Sequence, residues 1–484
     1  MSSDVNRHRP RRRHVVSAGL RTVSAIIAVA LLAAVGMTGW KGWLPQWQTT
    51  APATEVTPAA VQHLQACAGA LRQGGSATSE TAGTTVGSAD VAAAAGTVAL
   101  QTLAGASAGD QAQAGGIVTA TASGQTAALV ARVGTRGAAA STLQATHGAG
   151  DLSGLGLTSC VEPAFDSWIA AGSTVTGRNA TLILVNPSSL PAEVTPRLYT
   201  SSGVFTQQID PLRVSPHSTR AVPLAAYAPD LPALVVRVTS DRAPVAAFVQ
   251  QDITRGVQAG GSEIAAAGAS PSRQQVITGL TITDADAQTA LAADADWADA
   301  VPVLRLLSPD RQTTARIRIT GGGKTITQTQ ALLPGMVADV PLTALGGGTY
   351  RVSVQADADI LAAARSVIGG QDQPDFAWLP SAVPVTSALA VSVPAGVPSA
   401  TLSVSAQGGD SVKVRLVPAS GGSARTVQAT ADGPATVALP AGSTWTVQPA
   451  GAVAAAVTVR GDGALGQAAL YSPGDVGAVT VRLR

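Results

Sequence analysis

The chain has 484 residues, of which 46% are hydrophobic, 12% charged and 3% aromatic, with 51 Gly and 29 Pro. Soluble domains carry about 25% charged residues, so the apolar mass is made of small side chains, and both a coiled coil and a highly charged disordered chain are excluded. The formal charge of +2 divides unevenly: six arginines (Arg7, Arg9, Arg11, Arg12, Arg13, Arg21) against Asp4 make residues 1–21 +5, leaving −3 for the remainder. That remainder offers no basic surface for phosphate neutralisation, so nucleic acid is not an expected partner.

Residues 1–21 read as a basic cytoplasmic tail. Residues 22–40, TVSAIIAVALLAAVGMTGW, are 19 uncharged residues, enough to cross a hydrocarbon core of about 30 Å as a helix. Arg21 on one flank and Trp40, Lys41, Trp43 and Trp47 on the other fit the positive-inside rule and an interfacial aromatic belt. The segment is expected to be a retained signal-anchor, because the nearest small-x-small site, Ala51-Pro52-Ala53, lies well beyond the apolar run. The expected topology is single-pass in the cell membrane, N-terminus cytoplasmic and the bulk extracytoplasmic. Leu64-Gln65-Ala66-Cys67 resembles a lipoprotein box, but polar residues precede it, so lipidation is not expected.

Residues 41–66 read as a Pro/Thr/Ala linker. Cys67 and Cys160 are the only cysteines, and outside the membrane they are expected to pair; two unpaired buried thiols are the alternative. The disulfide would close a loop of 92 intervening residues, stabilising by at most about 4–5 kcal/mol in the chain-entropy model. No aromatic residue lies between Trp47 and Phe165. Residues 67–160 are therefore expected to be a small Ala/Gly-rich β region with a core of Ala, Val and Leu, marginal without the staple.

After Cys160 three segments share a pattern of alternating strand, polar turn and Ala-rich strand: LVVRVTSDRAPVAAFVQ (234–250), YRVSVQADADILAAARS (350–366) and AVTVRGDGALGQAALY (456–471). Aligned on Asp241, Asp357 and Asp462, they recur at sandwich-sized rather than propeller-blade spacing. The expected fold is mainly β: the transmembrane helix, the 67–160 region, then tandem Ig-like β-sandwiches at 161–270, 271–385 and 386–484, with hairpin turns at the three aspartates.

From Cys160 through Trp168, Gly172, Gly177-Arg178, the strand ATLILVNP and a later Gly, together with strands of the type VRVTSDRAPVAAFV, the chain resembles an actinobacterial family of envelope proteins catalogued as domain of unknown function 5719. The resemblance implies a large anchored or exported protein and carries over no catalytic residue.

Motifs with chemical meaning have structural readings here. Gly105-Ala106-Ser107-Ala108-Gly109 matches G-x-S-x-G, but it lies in an Ala/Gly/Ser-rich stretch where such matches arise by composition, and His147 is the only nearby base. Gly461-Asp462-Gly463-Ala464-Leu465-Gly466 matches G-x-G-x-x-G and overlaps Arg460-Gly461-Asp462, but its composition is that of a turn. Asp284, Asp286, Asp294, Asp296 and Asp299 lack EF-hand order and read as an acidic loop or short helix. His8, His14, His63, His147 and His217 show no ligand spacing, so neither metal nor cofactor is expected.

The expectation is a non-enzymatic, membrane-anchored structural or protein-interaction module of the cell envelope. The alternatives are a glycan- or partner-binding accessory subunit of cell-wall assembly, for instance beside a membrane glycosyltransferase, which would need Trp297 or Trp378 exposed, and a hydrolase using the aspartate cluster.

Overall fold

The computed structural model describes residues 27, 29, 30, 53–56, 63–95, 98–108, 112–114, 116–122, 129–133, 139–207, 209–283, 285–369, 374–461, 463–472 and 479–482. Apart from 27, 29 and 30, the predicted span at 22–40 lies outside them, as do Arg21, Trp40, Lys41, Trp43 and Trp47. Ile27, Val29 and Ala30 are helical and exposed. Among the described residues no helix is long and apolar enough to cross a membrane. The chain divides into two units, 1–59 with 476–484, and 60–475. In the first, Ala53–Val56 pairs antiparallel with Val479–Arg482.

The 60–475 unit is almost entirely strand and repeats one eight-strand plan. It is clearest in strands Asp166–Ile169, Arg178–Asn186, Ala192–Thr200, Leu212–Val214, Ser218–Pro223, Leu234–Asp241, Ala246–Arg255 and Gln258–Ala266. Numbered one to eight, they form two antiparallel sheets, in the orders one-six-three-four and five-two-seven-eight. The sequence around 386–484 repeats both orders with Leu389–Ser392, Ala400–Ala406, Val412–Pro418, Arg425–Ala429, Ala435–Leu439, Thr444–Pro449, Val453–Gly461 and Ala464–Ala469. Between them, Ser272–Ile282, Val303–Leu307, Thr313–Gly321, Lys324–Leu332 and Val337–Pro341 fill positions one to five and Asp375–Pro380 position eight. Positions six and seven are there one strand, Gly348–Ile368, whose first half pairs in one sheet and second half in the other.

The N-terminal β region follows the same plan. His63–Ala66, Leu129–Val133 and Val98–Thr102 make the one-six-three sheet, and Ile117–Ala122, Ser88–Ala94, Leu143–Ala149 and Leu152–Ser159 the five-two-seven-eight sheet. Its core is Ala, Val and Leu around Cys67 and Cys160, which form the expected disulfide.

The three aspartates do not mark equivalent hairpins. At Asp241 the chain crosses from one sheet to the other, and at Asp357 the strand runs straight through. Asp462 lies outside the described residues, but its flanking strands do pair as a hairpin. Alignment on these aspartates sets the third segment one strand out of step with the other two, because Asp and Gly serve a sheet-to-sheet crossing as well as a hairpin.

Burial patterns explain the small residues. Ala192–Thr200 alternates buried and exposed over its first six residues, as a strand with one solvated face should. Ala246–Arg255 and Val453–Gly461 are buried almost throughout, since one face covers their own core and the other receives the preceding sandwich. Alanine at those positions lets the layers approach.

The four sandwiches close on themselves. Each eighth strand packs on the next: Leu152–Ser159 on Gln258–Ala266, that on Asp375–Pro380, that on Ala464–Ala469, and the last back on Leu152–Ser159. Closure is completed where Ala139–Ser141 of the first sandwich pairs parallel with Leu389–Ser392 of the fourth. Glycine permits the approach of the eighth strands: a Cβ on Gly466 would lie 2.6 Å from the Leu157 backbone nitrogen.

Candidate functional site

The large polar side chains gather at the seams between sandwiches. At the first seam Gln250 accepts from the Arg72 backbone N–H at 2.7 Å and donates to the Arg72 carbonyl at 2.8 Å. At the second, Arg305 donates through Nη1 to the carbonyls of Gly172 and Leu234, both at 2.9 Å. Its Nε and Nη2 pair with the two Asp339 oxygens at 2.8 Å each, and its guanidinium lies 4.5 Å from the Trp378 ring centroid. Burial pushes the Asp339 carboxyl up, but the Arg305 charge and hydrogen bonds outweigh it and hold the group below its ordinary range. At the third, Gln467 Nε2 donates to the Gly279 carbonyl at 2.8 Å. At the fourth, the Thr444 hydroxyl donates to the Gly116 carbonyl at 2.9 Å. In the first three seams a side chain from one sandwich donates to a backbone carbonyl on or after the first strand of the sandwich before it, adding a hydrogen bond inside the buried seam.

Of the acidic cluster, Asp286 sits on the short α-helix Ala285–Leu291, Asp294 precedes the 3-10 turn Ala295–Trp297 that contains Asp296, and Asp284 lies outside the described residues. Asp299 accepts from Arg178 Nε and Nη2, both at 3.0 Å, and from Arg255 Nη2 at 2.6 Å, while Arg365 donates to its backbone carbonyl at 2.8 Å. Burial raises its pKa, but Arg178, Arg365 and Arg255 together hold it below the usual carboxylate range. A carboxylate so neutralised ties the helix region to the neighbouring strands and is poorly placed to act as a base.

Where the eighth strands meet, two carboxyls are buried. Asp375 Oδ2 accepts from the backbone N–H of Leu155 at 3.3 Å and of Leu465 at 3.0 Å, and its Oδ1 from that of Phe376 at 2.9 Å, so one side chain joins three sandwiches. Burial nonetheless pushes its pKa up to about 7. Glu263 is 1% exposed, and neither carboxylate oxygen has a hydrogen-bond partner among the described residues. Burial, reinforced by the Asp375 charge, raises its pKa well above the ordinary value. An acid with no donor facing it is stable there only as the neutral carboxyl. Arg305 and Glu263 each stand in the sequence as a lone charge in an apolar run, VPVLRLL and SEIAAA; the seam that Arg305 joins and the burial of Glu263 are not local features.

The remaining sequence candidates are placed as follows. Trp168, Trp297, Trp378 and Trp445 are 6%, 7%, 1% and 5% exposed, so none forms an open platform. Gly105 to Ala108 make a turn after Val98–Thr102, with the Gly105 N–H donating to Thr102 at 2.9 Å; Gly109 lies outside the described residues. His147 lies 3.4 Å from Asp90, whose other oxygen accepts from Thr121 at 2.8 Å, so the hydroxyl meets the acid and not the imidazole. The neighbouring His147 imidazole holds Asp90 below its ordinary pKa. His63 pairs with Glu162 at 2.6 Å. Among the described residues no group of three or more His, Cys, Asp or Glu side chains could hold a metal ion.

No curated protein matches the chain. Among solved structures it is similar to a tetra-tandem repeat in the extending region of a large adhesion protein, at 11% identity over 85% of this chain and 100% of that one, with a TM-score of 0.10. A model described as a family of unknown function, DUF5719, matches residues 117–450, from inside the first sandwich to inside the fourth and well over half of the sequence. The chain belongs to the DUF5719 family.

Proposed function

We propose that the chain is a non-enzymatic, membrane-anchored extracytoplasmic protein, a structural or protein-interaction module of the cell envelope. One observation carries this reading: the buried arginines, glutamines and carboxyls are spent joining four sandwiches into a closed body, as at Arg305, Gln250, Gln467 and Asp375. Such a body is suited to holding surfaces in fixed relation. The uncharged run at 22–40, flanked by Arg21 and Trp40, supports the anchor, and the helical state of Ile27, Val29 and Ala30 is compatible with it. We read the sandwiches as immunoglobulin-like, because their second strand pairs with the fifth and their third with the sixth, as strands B–E and C–F do.

The hydrolase alternative loses support from the arginine pairing of Asp299. The accessory-subunit alternative loses its aromatic platform with the burial of Trp297 and Trp378. Crosslinking in intact cells followed by identification of captured proteins tests the interaction reading. It predicts recovery of specific envelope partners; recovery of none would leave a purely structural role.

A further inference from the structure

One sheet of the third sandwich is formed by Ser272–Ile282, the first half of Gly348–Ile368, Thr313–Gly321 and Lys324–Leu332; its outer face packs on the fourth sandwich at Ser272–Ile282 and opens to solvent toward Lys324–Leu332. Inward-pointing residues of these strands, Ile277, Ile317, Ile319, Val352 and Val354, fill the core. The alternate residues form polar rows. Register places Gln274, Gln355, Arg316 and Thr329 side by side in one row, and Ser353, Arg318 and Thr327 in the next. With Arg351 below and Gly408, Gly409 and Ala431 of the fourth sandwich as a wall, they line a groove of about 800 Å³.

The groove is cationic, and no acid is among its lining residues. Arg316 is exposed and makes no ion pair among the described residues. Arg318 meets the carbonyl of Ala431 at 3.2 Å and, at the rim, the exposed carboxylate of Asp432 at 3.0 Å. Arg351 is 2% exposed and donates only to backbone carbonyls, those of Ala406 and Gln407, so no carboxylate is paired with it. Burial and the nearby Arg318 charge lower its pKa, against a weaker pull from Asp432. An anion bound here would relieve that repulsion.

We infer that this groove binds an anionic polysaccharide. Guanidinium groups pair with carboxylate or phosphate in bidentate geometry. Glutamine amides and Thr/Ser hydroxyls both donate and accept, which suits rows of sugar hydroxyls. The lining has no aromatic ring on which a neutral sugar could stack, so charge must carry the affinity. An acidic peptide fits less well: strand addition uses free backbone groups at a sheet edge, whereas these rows stand on a face whose inner strands are already paired on both sides. The inference rests on the reading of the chain as an extracytoplasmic interaction module and names a ligand class for it.

The test titrates the full-length protein in detergent with oligogalacturonate, its methyl ester and polyglutamate of matched charge. Saturable oligogalacturonate binding that weakens with salt is expected, with the methyl ester inactive and polyglutamate weaker. Arg316→Gln and Arg318→Gln should each weaken binding by about tenfold or more, and Arg316→Gln should leave the melting temperature unchanged. The inference is overturned by the absence of saturable binding, by equal binding of the methyl ester, by polyglutamate binding as tightly, or by indifference to both substitutions. If specific proteins are still captured in cells while oligogalacturonate does not bind, the ligand assignment fails and the interaction module stands.

Discussion

Replacing Arg305 by Met should destabilise the protein by about 3–5 kcal/mol, the range for removing one partner of a buried ion pair. Arg305 has 1% side-chain exposure against 29% for Asp339. Methionine keeps the apolar contact with Trp378 but removes four hydrogen bonds. Asp339 loses its main counter-charge, and inside the seam the Leu234 carbonyl loses the Arg305 donor while the Gly172 carbonyl keeps only the Leu234 N–H. An unsatisfied buried polar group costs about 1–3 kcal/mol, so both the pair and the seam contribute. Adding Asp339→Leu should recover part of the loss, because the stranded carboxylate goes with its partner. Urea denaturation of the single and double variants measures both effects. A loss below about 1 kcal/mol for Arg305→Met would show that the seam between the second and third sandwiches contributes little.

The second large effect is a loss of stability as pH rises. A carboxyl whose pKa is higher in the folded than in the unfolded chain binds its proton more tightly when folded. Its contribution is greatest below the unfolded value and is lost as pH rises through the folded value. Asp375 moves from 3.8 to about 7 and Asp252, buried beside Gln250, from 3.8 to about 6; Glu263 moves in the same direction. Asp375 alone then accounts for on the order of 4 kcal/mol lost between about pH 4 and pH 7. Asp90, Asp299 and Asp339 are shifted downward, so their contributions are lost only as pH falls below the ordinary carboxylate range. Stability should therefore peak near pH 4–5. Glu263→Gln, which mimics the neutral acid, should shrink the loss between pH 5 and pH 8 and raise stability at pH 8. Denaturant midpoints across this range provide the check; stability that stays flat or rises toward pH 8 would refute the buried-acid assignment.

How much could be read in advance depends on the range of each interaction. The pairing of Cys67 with Cys160 follows from the cysteine count and an expected oxidising compartment, and the β character from alternation and small residues. The repeat was visible where its strands carry recognisable patterns, as in VVRVTSDRAPVAAFV. At 456–471 the aspartate alignment falls one strand out of step, because turn chemistry does not reveal whether the chain folds back or crosses between sheets. The shared plan of residues 63–159 was hidden by composition: strands such as SADVAAA and IVTATA differ too little from their surroundings. Nothing local announces that Ala139–Ser141 will pair with Leu389–Ser392 across two whole sandwiches, or that Glu263 and Asp375 are buried where the eighth strands meet.

Small-angle scattering of the chain beginning at residue 60 distinguishes four sandwiches closed into one body from beads on a string. Globular scaling for a single body of that size gives a radius of gyration of about 22 Å, and the closed arrangement predicts a value near it that is insensitive to salt. A radius roughly twice as large, with the extended profile of a flexible array, would contradict it.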